Sequence, residues 1–176
     1  MEQRVATALN RVISVLERRP SAGMHADAPA VAHWNGGLSV TTTHPDGAQI
    51  QTDMPLEFGG RDNAVSPGWL MRAGLSACAA TCIAMLAARH GVELTGLDVQ
   101  ASSRSDARGL FGMTQAGNER ISPAPLDMQL RVRIAASNSL PEQLRALVEE
   151  ALTCSPVSVA LLETTQIRLH IDEGAT

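Results

Sequence analysis

Aromatic side chains are scarce in this 176-residue chain, which has two tryptophans, two phenylalanines and no tyrosine. Its 14 basic side chains are outnumbered by 18 acidic ones, which gives a formal net charge of −4 at pH 7. Proteins that bind nucleic acid need basic groups to neutralise phosphates, and on single strands they also use aromatic rings for base stacking. The composition therefore argues against nucleic acid as a partner.

The N-terminal residues lack the apolar core of a signal peptide, because charged side chains interrupt them. The one long apolar run, from Ser66 to Gly91, is rich in alanine and contains Arg72. We therefore expect no membrane association. Three cysteines are an odd number that does not form a disulfide framework, and this favours a reducing, cytoplasmic location.

Common cofactor and metal motifs are also missing. The sequence has no Gly-rich phosphate loop, no Gly-x-Ser-x-Gly elbow and no paired-cysteine metal motif. The five histidines are scattered without the spacing of a helical zinc site: they are His25, His33, His44, His90 and His170. We expect neither a cofactor nor a bound metal.

The long apolar run predicts a central helix that other parts of the protein surround. Ser66-Pro67 is an N-cap followed by proline at the first helical position, and Gly91 is placed just beyond the end. Apolar residues cover most of the circumference of this helix, which is typical of a buried position. Cys78 and Cys82 lie on one of its faces, one turn apart.

The segments before this helix predict an amphipathic leader helix from about Glu2 to Arg19 and then a linker, so that residues 1–30 precede a main domain of residues 31–176. Alternating residues and turn signals such as Asn35-Gly36 favour an antiparallel meander. The predicted strands of the meander are Val31 to Trp34, Leu38 to Thr43 and Ala48 to Thr52.

The segments after the helix predict a strand pair, a helix that opens with a capping box at Ser139, a second helix after Ser155-Pro156, and a closing strand from Ile167 to Ile171. The two pairing strands are Leu94 to Ser103 and Leu126 to Ala135. Together these elements predict an α+β fold. The connection from Asp106 to Pro125 is long, and it is either a flexible excursion or a lid over a pocket.

This order of elements resembles the OsmC/Ohr family of thiol-dependent peroxide-reducing proteins, over residues from about Val31 to Ile171. Local sequence is similar as well. The segments that carry the likeness are Ser76-Ala77-Cys78, Gly91-Val92-Glu93-Leu94, Arg108-Gly109-Leu110-Phe111-Gly112 and Cys154-Ser155-Pro156-Val157.

The resemblance implies an OsmC-like fold in which antiparallel sheets pack around the long helix, in an intertwined homodimer. It also implies that Cys78, at the attacking position, reacts with the O–O bond of a small hydroperoxide, becomes a sulfenic acid and is recycled by a second thiol. Cys154 is the candidate resolving thiol, and an external thiol reductant is expected as a further partner.

Two positions depart from the family pattern. Gly68 stands where members have a glutamate that holds an arginine against the reactive sulfur, and Ser155 stands where peroxide-reducing members have the recycling cysteine. Cys154 is one residue too early, so its side chain is expected to point away from Cys78. The departures favour a second hypothesis, a ligand-binding or redox-sensing protein that keeps the fold without turnover.

The chemistry of buried thiols sets further requirements for the three cysteines. Burial raises the pKa of a thiol, so we expect a cation to activate Cys78, with Arg61, Arg72 and Arg108 as the candidates. Cys82 is an alternative partner at about 6 Å between Cα atoms, although a disulfide there would strain the helix. Each cysteine can also be a small buried hydrophobic residue without chemistry.

Overall fold

The computed structural model describes residues 2–163 and 165–173, and within them the chain forms five α-helices and two antiparallel sheets. The helices are α1 (Glu2–Arg18), α2 (Pro67–Arg89), α3 (Ala107–Leu110), α4 (Pro141–Thr153) and α5 (Pro156–Leu162). The strands are β1 (Val31–Trp34), β2 (Val40–Thr43), β3 (Gln49–Thr52), β4 (Leu94–Arg104) and β5 (Leu126–Ala136). The predicted α+β class is confirmed.

Helix α2 begins and ends as predicted. The Ser66 hydroxyl accepts a hydrogen bond from the Trp69 amide at 3.2 Å, and Pro67 occupies the first helical position, where its missing N–H costs nothing. Gly91, two residues beyond the end, has a φ of +67°, which glycine adopts without strain. The length and apolar character of α2 alone would allow it to cross a membrane, a criterion that core helices of soluble proteins also meet.

Four elements pack around α2: α1, β4, α4 and α5. Strands β4 and β5 pair with Val99 opposite Val132, and the apolar face of this ladder contacts α2 and α4. The buried centre contains Ile83, Leu86, Ala87, Leu147 and Ala151. This packing fixes α4, and therefore the start of α5, against the middle of α2.

The predicted meander is confirmed, since β1, β2 and β3 pair in that order and all pairs are antiparallel. Its turns contain Gly36 and Gly47 with φ of +99° and +94°, conformations that favour glycine.

Two local predictions are wrong. Residues 165–173 contain no strand, and Ile167 is 92% exposed, because alternating side chains do not supply the backbone partner that a strand needs. Helix α4 is capped by Leu140 rather than Ser139, and the Leu140 amide donates to Gln143 Oε1 at 2.8 Å. The shift arises because Pro141 takes the first helical position, so the cap is the residue before it.

The long connection between β4 and β5 folds against itself and includes α3. The Asp106 carboxylate accepts the Arg108 amide at 3.0 Å, and Gly109 is so close to the backbone of Ser122 that a Cβ on it would lie 2.4 Å from the Ser122 oxygen. Phe111 of this loop also contacts Phe58, which lies outside the loop, with ring centroids 5.6 Å apart. A role for this loop as a lid stays a prediction.

Candidate functional site

The candidate site lies where the middle of α2 meets the first turn of α5. Cys78 of α2 is partly buried, and Ser155, the N-cap residue of α5, is fully buried. The Ser155 hydroxyl donates a hydrogen bond to Cys78 Sγ at 3.3 Å. Two residues that are 77 positions apart are therefore in direct contact, because α4 and α5 both pack on α2.

The surroundings of Cys78 favour its ionised form. Burial acts to raise the pKa of the Cys78 thiol, but hydrogen bonds from the Ser155 hydroxyl and the Val157 amide, together with the adjacent Cys82 thiol, outweigh it, so the pKa lies below its usual value. Because the thiolate is the reactive form of cysteine, a lowered pKa makes Cys78 the better nucleophile near neutral pH.

Cys82 has the opposite environment although it lies one turn away on the same helix. Burial raises the pKa of the Cys82 thiol, and the negative charge of an ionised Cys78 raises it further. The Cys82 sulfur also contacts the Cys154 carbonyl oxygen at 3.6 Å, as a donor. Of this pair, Cys78 therefore has the lower pKa and is the thiol better suited to attack an electrophile.

Cys154 has an exposed side chain, and its sulfur lies 3.8 Å from Thr153 Oγ1. The hydroxyl of the next residue, Ser155, occupies the place beside Cys78. The structure thus brings Cys78, Cys82 and Ser155 together, while Cys154 joins them through its carbonyl oxygen. The resolving role of Cys154 stays a prediction.

The expected arginine beside the sulfur is not found in the described part of the chain. Arg72 Nη1 donates to Ser103 Oγ at 3.4 Å, and Arg108 pairs with Asp106 at 2.6 Å. Arg61 contributes its backbone amide to a carboxylate elsewhere. Among the described residues a hydroxyl and an amide donor offset the burial of Cys78, and activation by an arginine stays a prediction.

Ser158 is the residue that the sequence reasoning missed. Its hydroxyl donates to Ser155 Oγ at 2.8 Å, and its amide donates to the same oxygen at 3.4 Å. The signal that could have found it is the spacing of three residues between the N-cap serine and a second polar side chain, as in a capping box.

A cavity of about 420 Å³ adjoins Ser158. Leu75 contributes to its wall from α2, Ala124 and Pro125 contribute from the long loop, and Ser158 contributes from α5. The remaining lining residues are Met128, Leu130, Leu152, Leu161 and Leu162. In residues 2–163 and 165–173, no group of three His, Cys, Asp or Glu side chains is close enough to hold a metal ion.

Replacing Gly68 by glutamate is expected to stabilise the folded chain by about 1 to 2 kcal/mol, because glycine is a poor helix former and the first turn of α2 has no acidic residue to complement its dipole. A side chain at this position would also start 3.9 Å from Arg72 Nη1. The measurement is urea unfolding at low and high salt, with Gly68→Ala as the control for helix propensity. Equal stability of the two variants at low salt would contradict the charge effect.

The geometry has a counterpart in a known family. The model for OsmC-like proteins matches residues 60–170, which is more than half of the chain. The chain belongs to the OsmC-like protein family. Members of this family are soluble, so α2 is understood as the core helix of an OsmC-like domain.

Solved structures have the same fold at low sequence identity. An OsmC-like protein from Mycoplasma pneumoniae aligns with a TM-score of 0.65 at 16% identity, over 80% of this chain and 91% of that one. An organic hydroperoxide resistance protein OsmC from Legionella pneumophila gives 0.54 at 23% identity, over 78% and 90%. OhrB of Bacillus subtilis, an organic hydroperoxide resistance protein, gives 0.51 at 20%, over 79% and 93%. No curated protein matches the sequence significantly.

Proposed function

We propose that this OsmC-like chain is a cytoplasmic thiol-dependent reductase of organic hydroperoxides and hydrogen peroxide, with Cys78 as the attacking nucleophile. One observation supports the proposal most. The sulfur of Cys78 accepts hydrogen bonds from Ser155 and Val157 that lower the pKa of its thiol, while the pKa of neighbouring Cys82 is raised. The hydroperoxide resistance proteins among the structural neighbours, from Legionella pneumophila and Bacillus subtilis, suggest the substrate class.

The proposed reaction is a two-electron transfer from sulfur to oxygen. The Cys78 thiolate attacks one peroxide oxygen, so that an S–O bond forms while the O–O bond breaks. The leaving alkoxide takes a proton and departs as an alcohol, or as water from hydrogen peroxide, and Cys78 becomes a sulfenic acid. An external thiol then condenses with the sulfenic acid, which forms a mixed disulfide and releases water. A second external thiol attacks this mixed disulfide, so that Cys78 returns to its thiol form and the reductant leaves as a disulfide.

Ser155 makes the external thiol necessary in this scheme. Its hydroxyl stabilises the thiolate but cannot form a disulfide with the sulfenic acid. Cys154 stays the candidate for an internal route, which would require its exposed thiol to reach Cys78.

Replacing Ser155 by cysteine is expected to create an internal disulfide with Cys78 after oxidation. The hydroxyl oxygen at this position is 3.3 Å from Cys78 Sγ, so a sulfur placed there needs only a small movement to reach the roughly 2 Å of a disulfide bond. Because the reaction becomes intramolecular, trapping of the sulfenic acid by dimedone is expected to fall at least about tenfold. Peptide mass mapping without reduction measures the bond, and Cys154→Ser in the same background tests whether Cys154 competes.

We also propose that the functional unit is a homodimer. Apolar side chains of the meander and of α2 are open to solvent in the single chain, including Val31, Trp34 and Trp69 at 59%, 69% and 49% exposure. Exposed apolar side chains that form a large patch are typical of a protein interface, so these residues are the candidates for one. Light scattering during size-exclusion chromatography is expected to give twice the chain mass of 18.6 kDa. A well-folded monomer at micromolar concentration would remove this proposal and leave the chemistry of Cys78 to be tested separately.

The test of the reductase proposal is titration of the reduced protein with cumene hydroperoxide. We expect the loss of one thiol per chain at one equivalent, a dimedone adduct that peptide mapping places on Cys78, and repeated turnover once a dithiol reductant is added. Thiol loss that falls equally on Cys82 and Cys154 would contradict the assignment.

A redox-sensing or ligand-binding role is the second candidate. It is favoured by Gly68 and Ser155 at the two departures from the family pattern, and by the absence of contacts from Arg61, Arg72 and Arg108 to the sulfur among the described residues. In the titration this candidate gives either an inert Cys78 or a single oxidation without turnover when dithiol is supplied.

A further inference from the structure

Two buried serine hydroxyls form a chain that ends at the sulfur of Cys78. Ser158 Oγ donates to Ser155 Oγ at 2.8 Å, and Ser155 Oγ donates to Cys78 Sγ at 3.3 Å. Ser155 is fully buried and Ser158 is 6% exposed, so water competes little for these hydrogen bonds.

The direction of this chain follows from the donors around Ser155. A serine oxygen has one proton to donate and two lone pairs that accept. The hydroxyl and the amide of Ser158 donate to both lone pairs, which leaves the Ser155 proton to be donated, and it is donated to Cys78 Sγ at 3.3 Å. Ser155 therefore acts as a donor to the sulfur and is prevented from accepting the proton of a neutral thiol.

We infer that Ser158 is a positioning residue for Cys78, because its hydroxyl and amide hold the Ser155 hydroxyl in the orientation that donates to the sulfur. This inference rests on the proposed reactivity of Cys78 and adds to it a residue that does not touch the sulfur.

The cavity beside Ser158 strengthens the argument. Among the described residues that line it, Ser158 is the one with a polar side chain, and all the others are leucine, methionine, alanine or proline. No other side chain in this wall offers an acceptor to the Ser158 proton, so Ser155 is its protein partner. A hydroxyl that accepts a hydrogen bond is also a stronger donor, since chains of hydrogen bonds are cooperative.

The pKa and the alkylation rate of the Cys78 thiol should therefore depend on the hydroxyl at position 158. In Ser158→Ala, one lone pair of Ser155 Oγ becomes free, and Ser155 can turn to accept the S–H of a neutral Cys78. The neutral form is stabilised and the thiolate is destabilised, so the pKa of Cys78 is expected to rise. The rate of alkylation at pH 7 then falls by about three- to tenfold.

The experiment measures the rate of iodoacetamide alkylation at Cys78 against pH, by peptide mapping of the full chain. Ser158→Ala should move the inflection to higher pH, and Ser155→Ala should move it at least as far. Ser158→Thr and Ser158→Val form an isosteric pair that differs only by hydroxyl and methyl, and of these only the threonine variant should retain the inflection of the parent protein. Ser76→Ala is the control. Ser76 is a serine of the same helix, two residues before Cys78, and its hydroxyl donates to the Ala73 carbonyl oxygen rather than to the sulfur.

The inference is overturned if the threonine and valine variants have the same inflection, since the hydroxyl would then have no role beyond packing. It is also overturned if Ser155→Ala shifts the inflection while Ser158→Ala does not. Failure of the proposed function gives a different result, in which the alkylation profiles differ as expected but cumene hydroperoxide leaves Cys78 unoxidised.

Discussion

Consumption of cumene hydroperoxide in the presence of dithiol is expected to fall by at least about a thousandfold in Cys78→Ser, because a serine hydroxyl at this site is neither ionised nor oxidised by a peroxide. Cys82→Ser is the matched control on the same helix. Since burial and the charge of Cys78 raise the pKa of the Cys82 thiol, and its proton is donated to the Cys154 carbonyl oxygen, we expect that variant to lose less than about threefold.

The pH dependence of the same reaction provides a second measurement. Because the pKa of Cys78 is lowered in the folded chain, the rate should rise with pH through an inflection below that of an ordinary cysteine and then level off. The lowered pKa also means that the thiolate stabilises the fold at high pH and that this contribution is lost as the pH falls through the folded-state pKa. An inflection at or above the value of an unfolded peptide would contradict the hydrogen-bonding account.

A reversed pattern would reassign the site. If Cys78→Ser kept its activity while Cys154→Ser lost it, the exposed thiol would be the nucleophile and the buried cluster would serve only to hold α5 against α2. Full activity in all three single variants would point to contaminating activity or to catalysis that needs no single thiol, and the reductase proposal would be withdrawn.

The sequence was sufficient to place Cys78 in the middle of α2 but not to identify its neighbours. Caps and apolar residues define α2 locally, so Ser66, Pro67 and the position of Cys78 could be predicted from residues close together in the chain. The contact of Cys78 with Ser155 depends on how two helices pack, 77 residues apart, and no local pattern encodes that distance. Ser155 suggested a loss of function because the family resemblance implies a second thiol at that position.

The same limit explains the other differences. An arginine was expected because burial disfavours the ionised form of a thiol, yet neutral donors such as the Val157 amide compensate. Every residue except proline has a backbone amide, so the sequence does not show which amide lies beside the sulfur. The alternation from Ile167 to Ile171 predicted a strand, although strand formation also requires a pairing edge that residues 165–173 do not find within the described chain.

The turn that leads from β3 to α2 gives the largest expected effect on stability. Asp53 is 1% exposed, and its carboxylate accepts the Met54 amide at 2.8 Å and the Arg61 amide at 2.9 Å. Gly60 lies inside this turn, where a Cβ would be 1.7 Å from the Met54 carbonyl oxygen. An alanine cannot be accommodated unless the turn opens and the carboxylate loses its partners.

We therefore expect Gly60→Ala to lower the free energy of unfolding by about 3 to 5 kcal/mol, since it combines a backbone clash with a buried carboxylate left without hydrogen bonds. Gly59→Ala is the matched control, because Gly59 has a φ of +84° but open space around it, so only the conformational cost of about 1 kcal/mol applies. Urea unfolding measures both variants.

Equal losses in the two variants would show that the close approach at Gly60 is relieved at little cost. A much larger loss in Gly60→Ala would instead establish the Asp53 turn as the element that fixes the chain just before Ser66. Since Ser66 caps the helix that holds Cys78, the alkylation rate of Cys78 in Gly60→Ala at temperatures where the variant is still folded should then stay close to that of the parent. Stability and reactivity would separate, because the donors that act on the sulfur come from the start of α5, not from this turn.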